Sequence, residues 1–162
     1  MRLTAFTNYA LRTLMFAACR GETLTRCHEV ADAFGISRAH CTKCVHLLGQ
    51  WGYLENVRGR GGGFRLARPA SEIVIGDVVR RTEDSLELVE CFNAETNTCP
   101  LMAACRLSRT FKRALAAFLA VLDEVTIADV VANRAELAPL MPELAADAAR
   151  LPDTPAAAGS GA

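Results

Sequence analysis

The sequence predicts a mainly α-helical fold with a small β-hairpin wing, in which a winged helix-turn-helix domain precedes a long dimerisation helix. Three observations predict it. Apolar residues recur at helical spacing through the first fifty residues, a glycine-rich turn with alternating flanks follows at 53–69, and a long amphipathic pattern covers 108–125. With 162 residues and 51% hydrophobic composition, the chain is long enough for a compact domain and an extension.

The helix-turn-helix is predicted from the spacing and end signals of three helices. The first covers 5–20. Thr25 opens the second helix, and Gly35 closes it in a position that suits a left-handed residue. After a short turn, Ser37 caps a third helix that runs to about Trp51. A basic hairpin directly after such a unit makes it a winged helix.

DNA contacts are expected from the third helix and from the wing. The third helix would enter the major groove, and the tip of the hairpin would reach the backbone or the minor groove. The charges agree, because residues 1–70 carry ten Lys and Arg against four Asp and Glu, whereas 71–162 carry eight against fourteen. The candidate DNA-binding residues are Ser37, Arg38, His40 and Lys43 on the helix, and Arg58, Arg60 and Arg65 on the wing.

Two further helices are predicted after the wing. A short one covers IGDVVRRTE, and a long one follows at 108–125. The apolar stripe of the long helix has alternating steps of four and three, a spacing that suits either packing against a twin helix or covering the protein's own core. Its members are Phe111, Leu115, Phe118, Leu122 and Val125.

Between these two helices lie three cysteines, Cys91, Cys99 and Cys105, at spacing C-x7-C-x5-C. An odd set of thiols on a polar loop suits soft iron better than disulfides, so the spacing favours an iron-sulfur cluster. The chain has seven cysteines and neither a signal-peptide pattern nor a membrane-length apolar run, so we expect a soluble protein of the reducing cytoplasm. Cys41 and Cys44 are interpreted as core residues rather than as a zinc site or a disulfide, and Cys19 and Cys27 likewise.

Four segments together resemble the bacterial winged-helix iron-sulfur transcriptional regulators. They are RLTAFTNYALRTLM, VRGRGGGFRLARP, IGDVVRRTED and ECFNAETNTCPLMAACRL, and the resemblance covers roughly residues 1–140 in order. The combination of a GRGGG wing with three spaced cysteines is more specific than either part alone. Within that family, the cysteine segment is most similar to the nitric-oxide-sensing repressors, and the iron-responsive regulators come second.

The resemblance implies a cytoplasmic homodimeric repressor that binds a palindromic operator. Cys91, Cys99 and Cys105 would hold the cluster, a 4Fe-4S rather than a 2Fe-2S cluster, and nitric oxide would release the DNA by breaking it. In the nitric-oxide-sensing members, the fourth ligand is an aspartate of the first helix that reaches across the dimer. The matching position here is Asn8, a neutral amide and a poor iron ligand.

Two alternatives stay open at this point. Asn8 is shared with the iron-responsive regulators, which favours sensing of iron or of cluster status. The second alternative is a switch without a cluster, in which the three loop thiols oxidise in pairs. An enzyme is not expected, because nothing in the sequence supplies a paired acid and base for a substrate pocket.

The expected organisation has four parts. The DNA-binding domain covers 1–83, and the cluster-binding loop with a short helix covers 84–106. The dimerisation helix and a short C-terminal helix cover 107–140, and 141–162 form a flexible tail with little apolar surface to bury.

Overall fold

The structure, a computed structural model, describes residues 2–141 and Leu144. The predicted flexible tail, 141–162, therefore lies outside the described residues except for Met141 and Leu144. The described part is helical with one two-stranded antiparallel sheet. Its elements are α1 (Ala5–Arg20), α2 (Cys27–Phe34), α3 (Arg38–Gln50), β1 (Leu54–Val57), β2 (Gly63–Leu66), α4 (Ile75–Thr82), α5 (Arg106–Asp123), α6 (Ile127–Val130) and α7 (Arg134–Leu137), with short 3-10 helices at Ala70–Glu72, Glu90–Phe92 and Ala138–Leu140.

The helix-turn-helix is formed by α2 and α3, as predicted. Gly35 ends α2 with φ 63° and ψ 31°, the left-handed conformation that glycine adopts without strain. Ser37 caps α3, and its hydroxyl accepts a hydrogen bond from the backbone N–H of His40 at 3.2 Å. Both helices pack on α1, whose inward face contributes the fully buried Leu14 and Phe16 to the core. The fold class predicted from the sequence is therefore confirmed.

The second helix begins later than predicted. Thr25 does not open α2; it forms an isolated antiparallel bridge with Phe64 of β2. The two residues exchange backbone hydrogen bonds, each 2.8 Å long. Helix α2 starts at Cys27 after Arg26. The backbone hydrogen bonds of Thr25 to Phe64, 39 residues further along the chain, outweigh its tendency to cap a local helix. They fasten the base of the wing to the helical core.

The wing is the hairpin of β1 and β2. Its register pairs Leu54 with Leu66 and Glu55 with Arg65. Phe64 points into the core and is 1% exposed, so the hairpin is anchored by one aromatic ring as well as by its backbone. The tip bends through Gly59 and Gly61, with φ of 102° and 85°, values that other residues rarely adopt.

Helix α4 ties the wing domain to the C-terminal part of the chain. Ile75 donates its backbone N–H to the carbonyl of Val125 at 2.9 Å, and Ile127 donates to the carbonyl of Ile73 at the same distance. The prediction that the apolar stripe of the long helix extends to Val125 is thus wrong. The helix ends at Asp123, and Val125 belongs to the backbone pairing beside α4.

Helix α5 projects from this joint and is poorly covered. Of its eighteen residues, only Ser108 is buried. Leu122 packs against the core, whereas Leu107 and Val121 are 61% and 62% exposed. Within the described residues, no helix combines the length and the apolar composition needed to cross a bilayer.

Candidate nucleic-acid interface and cysteine loop

The first two turns of α3 present the predicted DNA-contacting residues together on the surface. Ser37, Arg38, His40 and Lys43 are all exposed. The Ser37 hydroxyl lies 2.8 Å from Nδ1 of His40, whose ring also stacks on Tyr9 of α1 with centroids 5.9 Å apart. The His40 side chain is therefore held in place from two sides. Because the N-terminus of a helix carries unpaired N–H groups and a positive dipole, this end of α3 suits a phosphate or a base edge.

The wing arginines fall into two groups. Arg58 and Arg60 are exposed at the tip, and no ion pair within the described residues involves either of them. Arg65 is paired across the strands, because its Nε lies 2.9 Å from a carboxylate oxygen of Glu55. The guanidinium of Arg68 lies over the ring of Tyr53, 4.6 Å from its centroid. Two positively charged side chains at the tip are therefore available to a ligand, whereas Arg65 contacts Glu55 and Arg68 contacts Tyr53.

Two of the three loop cysteines meet at the start of α5. Cys91, in the 3-10 helix Glu90–Phe92, donates its thiol to Oγ of Ser108 at 3.4 Å. Cys105 caps α5, and its sulfur accepts the backbone N–H of Ser108, also at 3.4 Å. Ser108 is thus the shared neighbour of both sulfurs. Sequence reasoning missed this residue, since a serine in the first turn of an amphipathic helix has no special pattern.

Cys99 lies apart from this pair. Its backbone N–H donates to Oδ1 of Asn97 at 3.1 Å, and two turns, from Cys99 to Met102 and from Met102 to Cys105, separate it from the helix. All three loop cysteines are half-buried free thiols. Across residues 2–141 and Leu144, no group of three or more His, Cys, Asp or Glu side chains is placed to hold a metal ion.

The donor chemistry of the loop nevertheless suits iron. Cysteine thiolates are the usual ligands of iron-sulfur clusters. Cys91 and Cys105 lie beside Ser108, and Cys99 lies on the turns that lead to Cys105, so one short segment carries three thiol donors. Asn8 is exposed on α1, and its side chain makes no hydrogen bond within the described part of the chain.

The start of the loop is anchored to the DNA-binding part of the molecule, and the far end of α5 is bound to α4. Glu83, just after α4, accepts hydrogen bonds from the backbone N–H and the hydroxyl of Thr4 at 2.8 and 3.1 Å. Arg80 of α4 binds Asp123 of α5 through two hydrogen bonds of 2.6 and 2.7 Å, which lower the pKa of Asp123. The loop therefore begins at a contact with α1, whereas the contact between α4 and α5 lies at the opposite end of α5 from the loop.

The remaining cysteines lie in or beside the core. Cys41 and Cys44 are 1% and 0% exposed, and Cys19 is 1% exposed, so their assignment as core residues is confirmed. Cys27 differs, because it is only half-buried at the start of α2.

Residues 3–133 match the family model Rrf2, described as an iron-dependent transcriptional regulator. The chain is 49% identical over 142 residues to the HTH-type transcriptional regulator NsrR of Shouchella clausii (strain KSM-K16), covering 87% of this chain and 95% of the relative. It is 51% identical over 144 residues to the protein of the same name from Geobacillus kaustophilus (strain HTA426), covering 88% and 98%.

The fold is that of solved regulators as well. The structure of T. potens IscR superposes with a TM-score of 0.66 at 22% identity, over 82% of this chain and 88% of that one. At 22% identity this similarity shows the fold alone. The family is shown by the match to the Rrf2 model and by the two relatives named NsrR. The chain therefore belongs to the Rrf2 family, and it is a DNA-binding transcriptional regulator and not an enzyme.

Proposed function

We propose that this regulator is an iron-sulfur repressor that releases its operator in response to nitric oxide. The observation that carries the proposal is the position of three cysteines on the loop between α4 and α5, which begins at Glu83, a residue hydrogen-bonded to Thr4 of the DNA-binding part. The two relatives named NsrR, which match nearly their whole length, support the same function.

Cys91, Cys99 and Cys105 are the proposed protein ligands of a 4Fe-4S cluster. When bound, the cluster would supply iron that reacts with nitric oxide. Cys91 and Cys105 flank Ser108, whose N–H donates to the Cys105 sulfur and whose hydroxyl accepts from the Cys91 thiol. With Cys91 as a thiolate, that hydroxyl would donate to its sulfur instead, and such donors stabilise thiolate charge. The fourth ligand position matches Asn8 in the family resemblance, although its amide is a weak donor for iron.

The loop is proposed to transmit the signal. Three thiolates bound to one centre would cross-link the beginning, the middle and the end of the loop between Glu83 and Arg106. Loss of those bonds would free the loop, and the change would reach α1 through the hydrogen bonds of Glu83 to Thr4 and α5 through Cys105 and Ser108 in its first turn. Repositioning of the two DNA-reading helices in a dimer would then lower operator affinity.

We further propose that α5 pairs with a second copy of the chain. Leu107, Ala114 and Val121 are exposed and recur every seven residues, and the half-buried Phe111 and Phe118 lie between them. This 4-3 alternation is the spacing of a coiled-coil seam, and Leu122 meanwhile faces the core of its own protomer. A two-fold dimer would place two α3 helices in successive major grooves of a palindromic operator, about 34–36 Å apart.

The test is an anaerobic titration of the holo-protein with nitric oxide and, in parallel, with an iron chelator. Absorbance reports the cluster, and fluorescence anisotropy reports binding to a duplex selected from a random library with the untreated protein. We expect nitric oxide to release DNA near stoichiometric addition, in step with the loss of cluster absorbance. Cys99→Ser should lack the cluster absorbance, and a normal spectrum in that variant would overturn the ligand assignment.

Iron sensing is the second candidate function, and Asn8 is the observation that favours it. A neutral amide in place of a carboxylate leaves the cluster weakly tied at one corner, which suits a regulator of the RirA type that responds to loss of iron. Release of DNA by the chelator at doses where nitric oxide leaves binding intact would favour this reading. A colourless protein from anaerobic purification, free of iron and sulfide, would instead favour a thiol switch of the loop cysteines.

A further inference from the structure

The imidazole ring of His40 on α3 is held by contacts on two of its sides. Its Nδ1 lies 2.8 Å from the Ser37 hydroxyl, and the same hydroxyl accepts the backbone N–H of His40 at 3.2 Å. One face of the ring stacks on Tyr9 of α1, with centroids 5.9 Å apart and planes inclined by 29°. The other nitrogen, Nε2, makes no hydrogen bond to any described residue, and the side chain is exposed. Nε2 is therefore the polar atom of the ring that is available to a ligand.

We propose that His40 reads a guanine in each half of the operator by donating its Nε2–H to the base edge, and that Ser37 and Tyr9 are positioning residues. Ser37 fixes which ring nitrogen carries the proton, and Tyr9 fixes the plane of the ring. The proposal rests on DNA binding through α3 and is independent of the cysteine loop. Ser37 thereby acts through His40 rather than through a DNA contact of its own.

The hydrogen bonds around Ser37 set the position of the imidazole proton. A neutral imidazole has one N–H and one acceptor nitrogen, and a serine hydroxyl has one proton to donate. The Ser37 oxygen already accepts the backbone N–H of His40, and Nδ1 is the acceptor within reach of its own proton. When the hydroxyl donates to Nδ1, the proton of the neutral ring lies on Nε2. The reverse arrangement, with Nδ1–H directed at Ser37, would leave the hydroxyl proton without a protein acceptor among the described residues.

Nε2 is a hydrogen-bond donor in both charge states of the ring. In the imidazolium form both nitrogens carry a proton, so Nδ1 donates to the Ser37 oxygen and the proton on Nε2 stays in place. At this point on its surface, α3 therefore presents a donor to DNA, and not an acceptor, whether the ring is neutral or charged.

Tyr9 restricts the rotation of the same ring. It is half-buried against the core on α1, and α1 packs directly on α3. Aromatic rings stacked in this way attract each other, and a ring that is held in one plane loses less freedom on binding than a ring that rotates. The stack therefore sets the direction of Nε2 before DNA is bound.

The base that best suits a lone donor is guanine. His40 lies in the first turn of α3, and residues at the start of a recognition helix meet base edges in the major groove. There guanine presents two acceptors, N7 and O6, with no donor beside them. Adenine places an amino donor beside its N7, cytosine presents an amino donor, and the single acceptor of thymine lies next to a methyl group. A fixed Nε2–H should therefore discriminate in favour of guanine.

A base-by-base profile of the selected duplex tests the contact. Each base pair is replaced in turn by the other three, and binding of the untreated full-length protein is measured by fluorescence anisotropy. We expect one guanine in each half-site whose replacement raises the Kd about tenfold. His40→Ala should abolish that preference and leave the preferences at other positions intact. The matched control, His46→Ala, removes another exposed histidine of α3 and should leave the whole profile unchanged.

Two results would overturn the base contact. A uniform loss of affinity across all duplexes in His40→Ala, with a smaller dependence on salt, would mean that the ring meets a phosphate. A preference for another base at the position that depends on His40 would refute the guanine assignment. Release by nitric oxide together with a profile that His40→Ala leaves unchanged would refute this proposal alone, whereas failure to select any duplex would refute operator binding as well.

Nitrogen NMR of the full-length protein, labelled at histidine, locates the proton without DNA. The nitrogen that carries a proton and the one that does not have different chemical shifts. At alkaline pH, where imidazoles are neutral, we expect the His40 proton on Nε2 in the unmodified chain and in Ser37→Thr, which keeps the hydroxyl. Ser37→Gly should give a mixture of the two forms, and glycine remains an acceptable N-cap for α3. A proton on Nδ1 in the unmodified chain would overturn the proposal.

The duplex profile separates positioning from a merely structural role. Ser37→Gly and Tyr9→Ala should weaken the preference for guanine at the position that depends on His40, and at that position only. The conservative variants Ser37→Thr and Tyr9→Phe should restore it, because they keep the hydroxyl and the stacked ring. An undiminished preference in Ser37→Gly or in Tyr9→Ala would remove that residue from the site, and an equal loss at every position would assign it a structural role.

Discussion

Replacement of Gly63 by alanine tests the joint that fixes the wing to the helical core. Gly63 is the first residue of β2, beside the bridge between Thr25 and Phe64. A Cβ atom at this position would lie 2.4 Å from the carbonyl oxygen of Thr25 and 3.3 Å from Cβ of Leu24. Since the oxygen belongs to the backbone, it cannot rotate away. The backbone segments at Gly63 and Thr25 must separate by at least about 0.6 Å, because real Cβ atoms essentially never lie closer than 3.0 Å to another heavy atom.

The cost follows from the hydrogen bonds that this separation lengthens. Thr25 and Phe64 exchange two backbone hydrogen bonds of 2.8 Å, and each contributes about 1 kcal/mol net. Loss of most of that energy is partly offset by about 0.5 kcal/mol, because alanine reduces the entropy of the unfolded chain. Gly63→Ala should therefore lower the free energy of unfolding by about 1–2 kcal/mol and displace the wing.

Urea unfolding and amide hydrogen exchange measure the two consequences separately. The stability loss should lower the urea midpoint by about 0.5–1 M, and the amide protons of Thr25 and Phe64 should exchange faster. Gly61→Ala is the matched control. Its Cβ would meet no atom within 4 Å, and its φ of 85° adds strain at the tip alone, so exchange at Thr25 should stay unchanged. An unaltered midpoint with normal protection of Thr25 in Gly63→Ala would refute the close approach.

Three further predictions concern DNA binding, assembly and thiol reactivity. Arg60→Ala should reduce the slope of log affinity against log salt by about 0.9 if the side chain meets one phosphate, and an unchanged slope would remove it from the interface. Val121→Glu should dissociate the proposed dimer in sedimentation, whereas Ala116→Glu, on the opposite face of α5, should not; equal behaviour of the two would discount the proposed seam. Because the pKa of Cys27 is lowered in the folded state, its alkylation should begin at lower pH than in urea. The lowered pKa of Cys27 also contributes to the free energy of unfolding, and this contribution is present at alkaline pH and is lost as pH falls through the folded-state pKa. Identical pH profiles of Cys27 alkylation in the folded and the urea-unfolded protein would contradict the shift.

Local patterns predicted the helices well where capping and periodicity agreed. Ser37 caps the start of α3 and Gly35 ends α2, as their residue types suggest. A helix end needs a hydroxyl acceptor or a left-handed glycine only within its own turn, so a local pattern is enough to predict it. Thr25 shows the limit of such patterns. Its backbone partner is Phe64, and a hydrogen bond between residues so far apart in the sequence cannot be predicted from a local pattern.

The roles of the wing arginines could be predicted only in part. Their clustering indicated a basic hairpin, but the strand register places Glu55 opposite Arg65, and Tyr53 lies under Arg68. Which cations remain available to a ligand depends on cross-strand neighbours, and these are fixed by the register rather than by composition.

The sequence by itself determined the fold class, the family and the residue types of the candidate sites. Periodicity, caps and the cysteine spacing are short-range properties, so they can be read along the chain. Only the tertiary structure decided which residues surround the cysteines. It placed Cys91 and Cys105 beside Ser108 and left Cys99 on its own turns. Such contacts join residues from separate elements, and the packing of those elements, which no local pattern encodes, sets the distances between them.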